Sequence, residues 1–225
     1  MWFIIGFIAV VVVGFVILGV MSGGSAGSGT ATTPTNFVAT TVPPISSSDW
    51  TEGNPKAKVT LIEYGDFECP ACGAYFPIVQ QVIANYSSTI LFAFRNFPLY
   101  SIHPDAGIAA QAAEAAGLQG KYWPMHDLLY TDQTTWVDSA SSSVVAEFFN
   151  GYASQLGLNV TQFDSDIDSA KVLNKIQNDV TTGNNAQINH TPTFFINNTQ
   201  IPNPTSLADF ETALNNAIAV TSTAL

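Results

Sequence analysis

The sequence has few charged residues, and basic residues are the scarcest of them. Only 10% of the 225 residues are charged, and six Lys and Arg stand against seventeen Asp and Glu, for a net charge of −11. Binding to duplex nucleic acid needs a basic surface that displaces counterions, so this composition argues against a nucleic-acid-binding protein. The acidic balance also argues against electrostatic docking on anionic lipid.

Cysteine is equally scarce, because the whole chain contains two. Two cysteines cannot build a framework of several disulfides, so we expect an ordinary hydrophobic core to hold the fold. Hydrophobic residues make up 47% of the sequence, which is enough for such a core.

No charged residue occurs in the first 48 positions, and this part begins with a long apolar run at residues 2–21. At about 1.5 Å per residue, the run covers roughly 30 Å, the thickness of the hydrocarbon core of a bilayer. A cleavable signal peptide would have a basic start and a shorter apolar core, so we expect a transmembrane anchor. Cleavage within the small residues at 22–26 is the alternative.

A tract rich in Ser, Gly, Thr and Pro follows at residues 22–48. It has almost nothing to bury, which predicts a flexible linker. All 23 charged residues fall in the remaining part, 49–225, whose length suits one domain or one domain with a large insertion.

Both cysteines lie at a predicted junction between a strand and a helix. Residues 58–64 are rich in Val, Ile, Thr and Tyr, which is typical of a strand. The motif Cys69-Pro70-Ala71-Cys72 follows, and residues 73–84 then carry apolar side chains at helical spacing. Pro70 suits the first helical position, where the missing N–H costs nothing.

This position suits thiol chemistry, since the thiolate is the nucleophile in disulfide exchange. The unpaired N–H groups and the positive dipole end of a helix N-terminus favour the charged form of Cys69. Cys72 lies one turn further on the same face, so it can form a disulfide with Cys69 or resolve a mixed disulfide. Two neighbouring acids, Asp66 and Glu68, are expected to oppose the thiolate.

A zinc site and a structural disulfide are the alternatives for this motif. A very short loop removes little entropy from the unfolded chain, so a disulfide within the motif would stabilise little. Zinc needs two further ligands, and the three histidines show no paired spacing: His103, His126 and His190. We therefore favour redox chemistry and expect no metal.

Glu63 is an acid within the apolar predicted strand. Alternation places it on the same side as Val59 and Leu61, so we expect it to point inward. Burial there would raise its pKa. A buried carboxyl beside a dithiol can shuttle the proton that Cys72 gains or loses, with a structural role as the alternative.

These features together resemble the thioredoxin superfamily, and specifically the DsbA-like thiol–disulfide oxidoreductases. The resemblance extends to a strand at 89–95 followed by Asn96-Phe97-Pro98-Leu99, and to the pair Thr191-Pro192. It implies an α/β, thioredoxin-like fold over residues 49–225. The helical composition of residues 100–188 is similar to the helical insertion of the DsbA-like branch.

The resemblance also assigns roles to residues of the site. It implies that Cys69 is the nucleophile, Cys72 the resolving thiol, and that Pro192 follows a cis bond with the Thr191 backbone facing the disulfide. Extended protein substrates would pair with that backbone, and the redox-active disulfide would serve without a bound cofactor. One departure is Ala71, because strong oxidants of the family have His there.

The predicted activity is therefore thiol–disulfide exchange with protein substrates outside the cytoplasm, where disulfides persist. The domain would be held at the cell membrane by one N-terminal helix, and the resemblance implies a membrane partner that reoxidises it. Three alternatives stay open: a reductase, an isomerase, and a non-enzymatic module that binds zinc or extended peptide.

Overall fold

The computed structural model describes residues 40–137, 139 and 141–223. The predicted anchor at residues 2–21 lies outside the described residues, and so does the linker up to residue 39. Within the described residues, no helix is long and apolar enough to cross a bilayer.

The described chain forms five strands and eight helices. The strands are β1 (Trp50–Gly53), β2 (Val59–Gly65), β3 (Ile90–Asn96), β4 (Thr193–Ile196) and β5 (Thr199–Gln200). The helices are α1 (Pro70–Tyr86), α2 (Ala106–Leu118), α3 (Tyr122–Thr131), α4 (Gln133–Val137), α5 (Ser142–Gln155), α6 (Val160–Ile167), α7 (Ala170–Asn185) and α8 (Leu207–Thr223).

The strands form one mixed sheet in the order β1-β3-β2-β4-β5. The central strands β2 and β3 are parallel, and Glu63 lies opposite Phe94 in their register. The other pairs are antiparallel, with Glu63 opposite Phe194 between β2 and β4. Glu63 therefore lies in the middle of the sheet, one strand away from the segment that follows Pro192.

Both faces of the sheet are covered, so β2 is buried along most of its length. Val59 and Leu61 point into the larger core cluster, whereas Ile62 and Tyr64 point into a smaller one on the other face. The alternation of side chains along β2 therefore separates two buried faces of the sheet, and not a buried face from an exposed one. Glu63 faces the same side as Leu61, as expected, but either face would have buried it.

Helices α2 to α7 lie between β3 and β4, which confirms the predicted helical insertion. Its third helix, the short α4, is anchored by Trp136, whose side chain is completely buried. The Trp136 indole donates to the Leu129 carbonyl of α3 at 2.8 Å and packs edge-on against Phe149 of α5. A fully buried tryptophan of this kind fixes α4 against its neighbours.

Residues 40–48 differ from the predicted flexible linker, because they pack on the folded domain. Thr41 forms a bridge to Thr199, and Val42 is only 6% exposed. Arg95 donates to the backbone carbonyls of Pro43 and Pro44 and forms a two-pronged ion pair with Asp49. Among the described residues, the part that packs on the domain therefore begins before residue 49. Arg95 holds it through Asp49, which lies 46 positions earlier in the sequence.

Candidate active site

The two cysteines lie where β2 leads into α1, as predicted. Cys69 is the residue that caps the helix, and Pro70 occupies its first turn. The Cys69 residue is 7% exposed and Cys72 is completely buried, so only one sulfur lies close to the surface. Neither cysteine is in a disulfide in this structure.

The surroundings of Cys69 favour its thiolate. A hydrogen bond from the Cys72 thiol lowers the pKa of Cys69 to about 5, with further donors at Thr191 and at the backbone N–H groups of Ala71 and Cys72. Burial opposes this shift but does not cancel it. Cys69 is therefore ionised at neutral pH, in the direction expected at a helix N-terminus.

The surroundings of Cys72 favour its neutral form. Burial and the hydrogen bond to Cys69 raise the pKa of the Cys72 thiol well above its usual value, and Glu63 adds to the shift. The Asp66 N–H lies 3.5 Å from the Cys72 sulfur and is positioned to donate to it. The pair thus consists of one thiolate and one thiol, which donates to it.

Glu63 lies behind the cysteines with its side chain buried in the larger core. Among the described residues, none forms a hydrogen bond to its carboxyl group, and burial and the charge of Cys69 are the causes that shift its pKa. Burial raises the pKa of Glu63 to about 8, and the negative charge of Cys69 contributes. At neutral pH the group is mostly protonated, so it holds a proton close to the thiol that exchanges one.

Thr191 and Pro192 lie against Cys69, across 122 residues of sequence. The Cys69 thiol is 3.5 Å from the Thr191 carbonyl oxygen, and the bond between Thr191 and Pro192 is cis, as the resemblance implied. The Thr191 side chain helps to lower the pKa of Cys69 by donating to its sulfur. Apart from this, the buried Thr191 hydroxyl has no hydrogen-bond partner among the described residues.

Asp66 and Glu68 are not among the largest influences on the pKa of Cys69, so the expected opposition does not decide its direction. The Asp66 carboxylate accepts from His103 Nδ1 at 2.7 Å and from the backbone N–H groups of Leu99 and Glu68, each at 2.8 Å. Glu68 accepts from the Asp105 N–H at 2.6 Å. Local hydrogen bonds therefore satisfy both acids, and through these bonds the two side chains fix the turn before Cys69.

Sequence reasoning missed two residues of the site, His103 and Gln133. His103 holds Asp66, and Gln133 donates to the carbonyls of Phe67 and Cys69. These contacts span 37 and 64 positions. Neither residue belongs to a motif with the cysteines, so only its place in the fold reveals it.

The other histidines lie apart from the cysteines or in apolar surroundings. His126 is buried among aromatic rings, including Phe94 at 4.9 Å, and its Nδ1 lies 3.0 Å from the Asp127 carboxylate. His190 contacts the side chain of Asn189. Within the described ranges, no group of three or more His, Cys, Asp or Glu side chains is placed to hold a metal ion.

Comparison with protein families gives one match to most of the domain. The sequence model of the family Thioredoxin_4, described as thioredoxin, matches residues 46–216. The matched region contains both cysteines, Glu63 and the Thr191-Pro192 pair.

Solved structures with similar folds include BdbD from Bacillus subtilis, with a TM-score of 0.68 and 20% identity over 80% of this chain and 98% of that one. α-DsbA1 from Wolbachia pipientis has a TM-score of 0.66 and 22% identity over 78% and 93%. A thioredoxin-like oxidoreductase from Silicibacter pomeroyi has a TM-score of 0.63 and 23% identity over 76% and 93%. These likenesses show a DsbA-like fold.

The curated relatives that match this chain are named as antiporters and not as oxidoreductases. A protein from Mycolicibacterium gilvum named Na⁺/H⁺ antiporter NhaA 1 is 37% identical over 170 residues, which cover 74% of this chain and 26% of the relative. A protein of the same name from Salinispora arenicola is 34% identical over 180 residues, or 80% and 26%. The chain thus spans about a quarter of the length of these relatives.

Proposed function

This chain belongs to the thioredoxin family and has a DsbA-like fold, and from this we propose that it is a thiol–disulfide oxidoreductase that acts through Cys69 and Cys72. The observation that carries the proposal is the opposite tuning of the two sulfurs, since the pKa of Cys69 is about 5 and that of Cys72 is raised. A stabilised thiolate is a good leaving group, and a neutral buried thiol is a ready proton carrier.

The reaction is a transfer of one disulfide. A substrate thiolate attacks the Cys69 sulfur of the oxidised protein, the Cys69–Cys72 bond breaks, and Cys72 leaves with the electron pair and takes up a proton. A second substrate thiolate then attacks the substrate sulfur of the mixed disulfide and releases Cys69 as a thiolate. The substrate loses two electrons and the Cys69–Cys72 pair gains them.

Glu63 is the group proposed to hold the proton for Cys72. Its carboxyl is protonated near neutral pH because burial raises its pKa to about 8. When Glu63 is ionised, its negative charge disfavours the thiolate form of Cys72, and this contributes to the raised pKa of that thiol. A carboxyl with a pKa near the working pH is suited to both giving and receiving a proton.

Thr191 and Pro192 are proposed to hold the substrate. The Thr191 carbonyl lies 3.5 Å from the Cys69 sulfur, where the scissile disulfide forms. An extended substrate chain placed along this segment would present its thiol to Cys69 by strand-like pairing. Protein dithiols are therefore the proposed substrates.

The proposed direction is oxidation of substrate dithiols. Interactions that stabilise the thiolate stabilise the reduced protein, and a protein with a stable reduced form is an oxidant. The low pKa of Cys69 supports this direction although Ala71 replaces the family's histidine. A reduction potential near that of glutathione or below it would instead select a reductase or an isomerase.

We place this activity on the extracytoplasmic side of the cell membrane, with residues 2–21 as a single anchor and with a membrane partner that reoxidises the dithiol. The length and apolar character of that segment support the anchor. Curated relatives named as Na⁺/H⁺ antiporters support an association of this kind of domain with membranes.

Trapping of mixed disulfides tests the assignment of the two thiols. Cys72→Ser should accumulate mixed disulfides with a protein substrate that carries a disulfide, because Cys69 attacks that disulfide, one substrate sulfur leaves as a thiolate, and the resolving thiol is gone. Cys69→Ser should trap almost none, and it serves as the matched control. Trapping through Cys72 alone would reverse the assignment. Stoichiometric zinc binding without dithiol oxidation would select a binding module.

A further inference from the structure

The turn that carries the nucleophile is held by a side chain from the helical insertion. Gln133, the first residue of α4, is 9% exposed and directs its amide at the turn between β2 and α1. Its Nε2 donates to the Phe67 carbonyl at 2.7 Å and to the Cys69 carbonyl at 2.9 Å. Both amide hydrogens are therefore used on backbone groups of the active-site turn.

The Cys69 carbonyl has a second donor, the N–H of Gly73, at 3.1 Å. The bond from the Gly73 N–H is the first backbone hydrogen bond of α1. The Gln133 amide therefore holds in place the carbonyl group that accepts this first bond. The orientation of this first turn directs the N–H groups of Ala71 and Cys72, which contribute to the low pKa of Cys69.

Space for the amide comes from the absence of a side chain at Gly73. A Cβ at this position would overlap the Gln133 side-chain oxygen and lie only 3.0 Å from its amide carbon. Gly73 has ordinary helical geometry, since it is absent from the residues with positive φ in the described chain. Close approach of Gln133 is therefore a sufficient reason for glycine here.

We propose that Gln133 is a positioning residue that favours the reduced form of the Cys69–Cys72 pair, and this inference rests on the proposed function. Its N–H groups bring partial positive charge to carbonyls on both sides of Glu68 and next to the Cys69 sulfur. Negative charge exists on that sulfur only in the reduced form, so the amide stabilises one redox state more than the other. A bond that only held the fold would stabilise both states equally.

Equilibration with glutathione tests this role. Gln133→Met removes the donors and keeps the length of the side chain. We expect the equilibrium constant for oxidation of glutathione to fall about fivefold, as suits the loss of hydrogen bonds of ordinary strength. The pKa of Cys69, followed by thiolate absorbance, should rise. The matched control is Gln119→Met, because Gln119 also donates to a backbone carbonyl, that of Asn159, away from the turn.

Gly73→Ala is the second variant, since it keeps Gln133 but displaces its amide. It should change the potential and the pKa of Cys69 in the same direction as Gln133→Met. The control is Gly151→Ala, in a helix where a Cβ meets no atom within 4 Å. Alanine there should leave both quantities unchanged.

Three results are distinguishable. A wild-type protein that does not equilibrate with glutathione contradicts the proposed function itself. A redox-active wild type whose potential and Cys69 pKa are unchanged in both Gln133→Met and Gly73→Ala overturns the role of Gln133 alone. Shifts in both variants and in neither control support the inference.

Discussion

Two of the buried acids of this protein, Glu63 and Glu114, have opposite surroundings. Glu63, behind the cysteines, has no hydrogen-bond donor among the described residues, and burial raises its pKa to about 8. Glu114, in α2, accepts from the Trp50 indole and from the Asn96 amide, each at 2.7 Å. Burial also raises the pKa of Glu114, but only to about 7, because Lys175 and these donors oppose the shift.

Glu114 belongs to a network that joins three elements of the fold. Asp179 of α7 accepts from the backbone N–H of Asn96 at 3.0 Å and from the ammonium of Lys175 at 2.6 Å. Lys175 also lies 4.0 Å from Glu114. The network links the end of β3 to α2 and α7, so it fastens the helical insertion to the sheet.

The comparison shows that burial alone does not define the role of an acid. A carboxyl with several donors is a structural acceptor, whose removal leaves other polar groups without partners. A carboxyl without donors weakens the fold and exchanges its proton near neutral pH. The second kind suits a catalytic site, where stability is traded for reactivity.

Asp179→Ala should have the largest effect on stability. It removes the partner of the Lys175 ammonium and an acceptor of the Asn96 backbone. Breaking a buried ion pair in this way costs about 3–5 kcal/mol. Urea denaturation at pH 7 measures the loss, and a loss below about 1 kcal/mol would contradict a structural role for the network.

Glu63→Met should raise the stability of the protein instead of lowering it, and the gain should depend strongly on pH. The pKa of Glu63 is about 8 in the reduced folded protein against an ordinary value of 4.5, so the folded state keeps its proton longer than the unfolded one. Glu63 should therefore lower the unfolding free energy of the wild type between these pH values, by a contribution of up to roughly 4 kcal/mol.

The Glu63→Met variant should lack that contribution, so at pH 8 it is more stable than the wild type. At the same time its turnover of substrate dithiols should slow, because the proton carrier is gone. Parallel denaturation curves of the two proteins at pH 5 and pH 8 check the stability. An identical pH dependence of the two proteins would show that Glu63 is not the group that titrates.

Glu114→Met makes the same substitution at the acid that has hydrogen-bond donors. It should lower the free energy of unfolding, by less than Glu63→Met raises it. The Trp50 indole and the Asn96 amide each lose an acceptor, which should cost about 2 kcal/mol. Oxidation of dithiols should be unchanged when the folded fraction is held constant. A gain in stability, as expected for Glu63→Met, would remove the distinction between the two sites.

The smallest effect is in the pH dependence of the reduction potential. Between pH 5 and pH 8, reduction leaves Cys69 ionised and adds one proton to Cys72, so the potential should fall by about 30 mV per pH unit. Repulsion from the Cys69 thiolate raises the pKa of Glu63, so reduction also adds protons there near pH 8 and steepens the slope. Glu63→Met should restore about 30 mV per unit, whereas Glu114→Met should keep the wild-type slope.

The sequence by itself determined the local chemistry of the site. A strand pattern, a CxxC motif with Pro70 and a helical pattern lie within thirty consecutive residues, and the hydrogen bonds and dipole of a helix N-terminus act over a few residues. That local geometry favours the ionised form of Cys69, whereas the raised pKa of Cys72 depends chiefly on its burial in the folded domain. The family resemblance, carried by short motifs, added the thioredoxin-like fold and the helical insertion.

The family resemblance implied the Thr191-Pro192 pair, and only the tertiary structure decided which other distant groups complete the site. His103 and Gln133 reach the turn from 37 and 64 positions away, and no spacing in the sequence relates them to it. Residues 40–48 look like linker, yet Arg95 binds them to the domain. Their places depend on how the insertion packs on the sheet, because long-range contacts are set by the complementary packing of whole elements and not by local propensity.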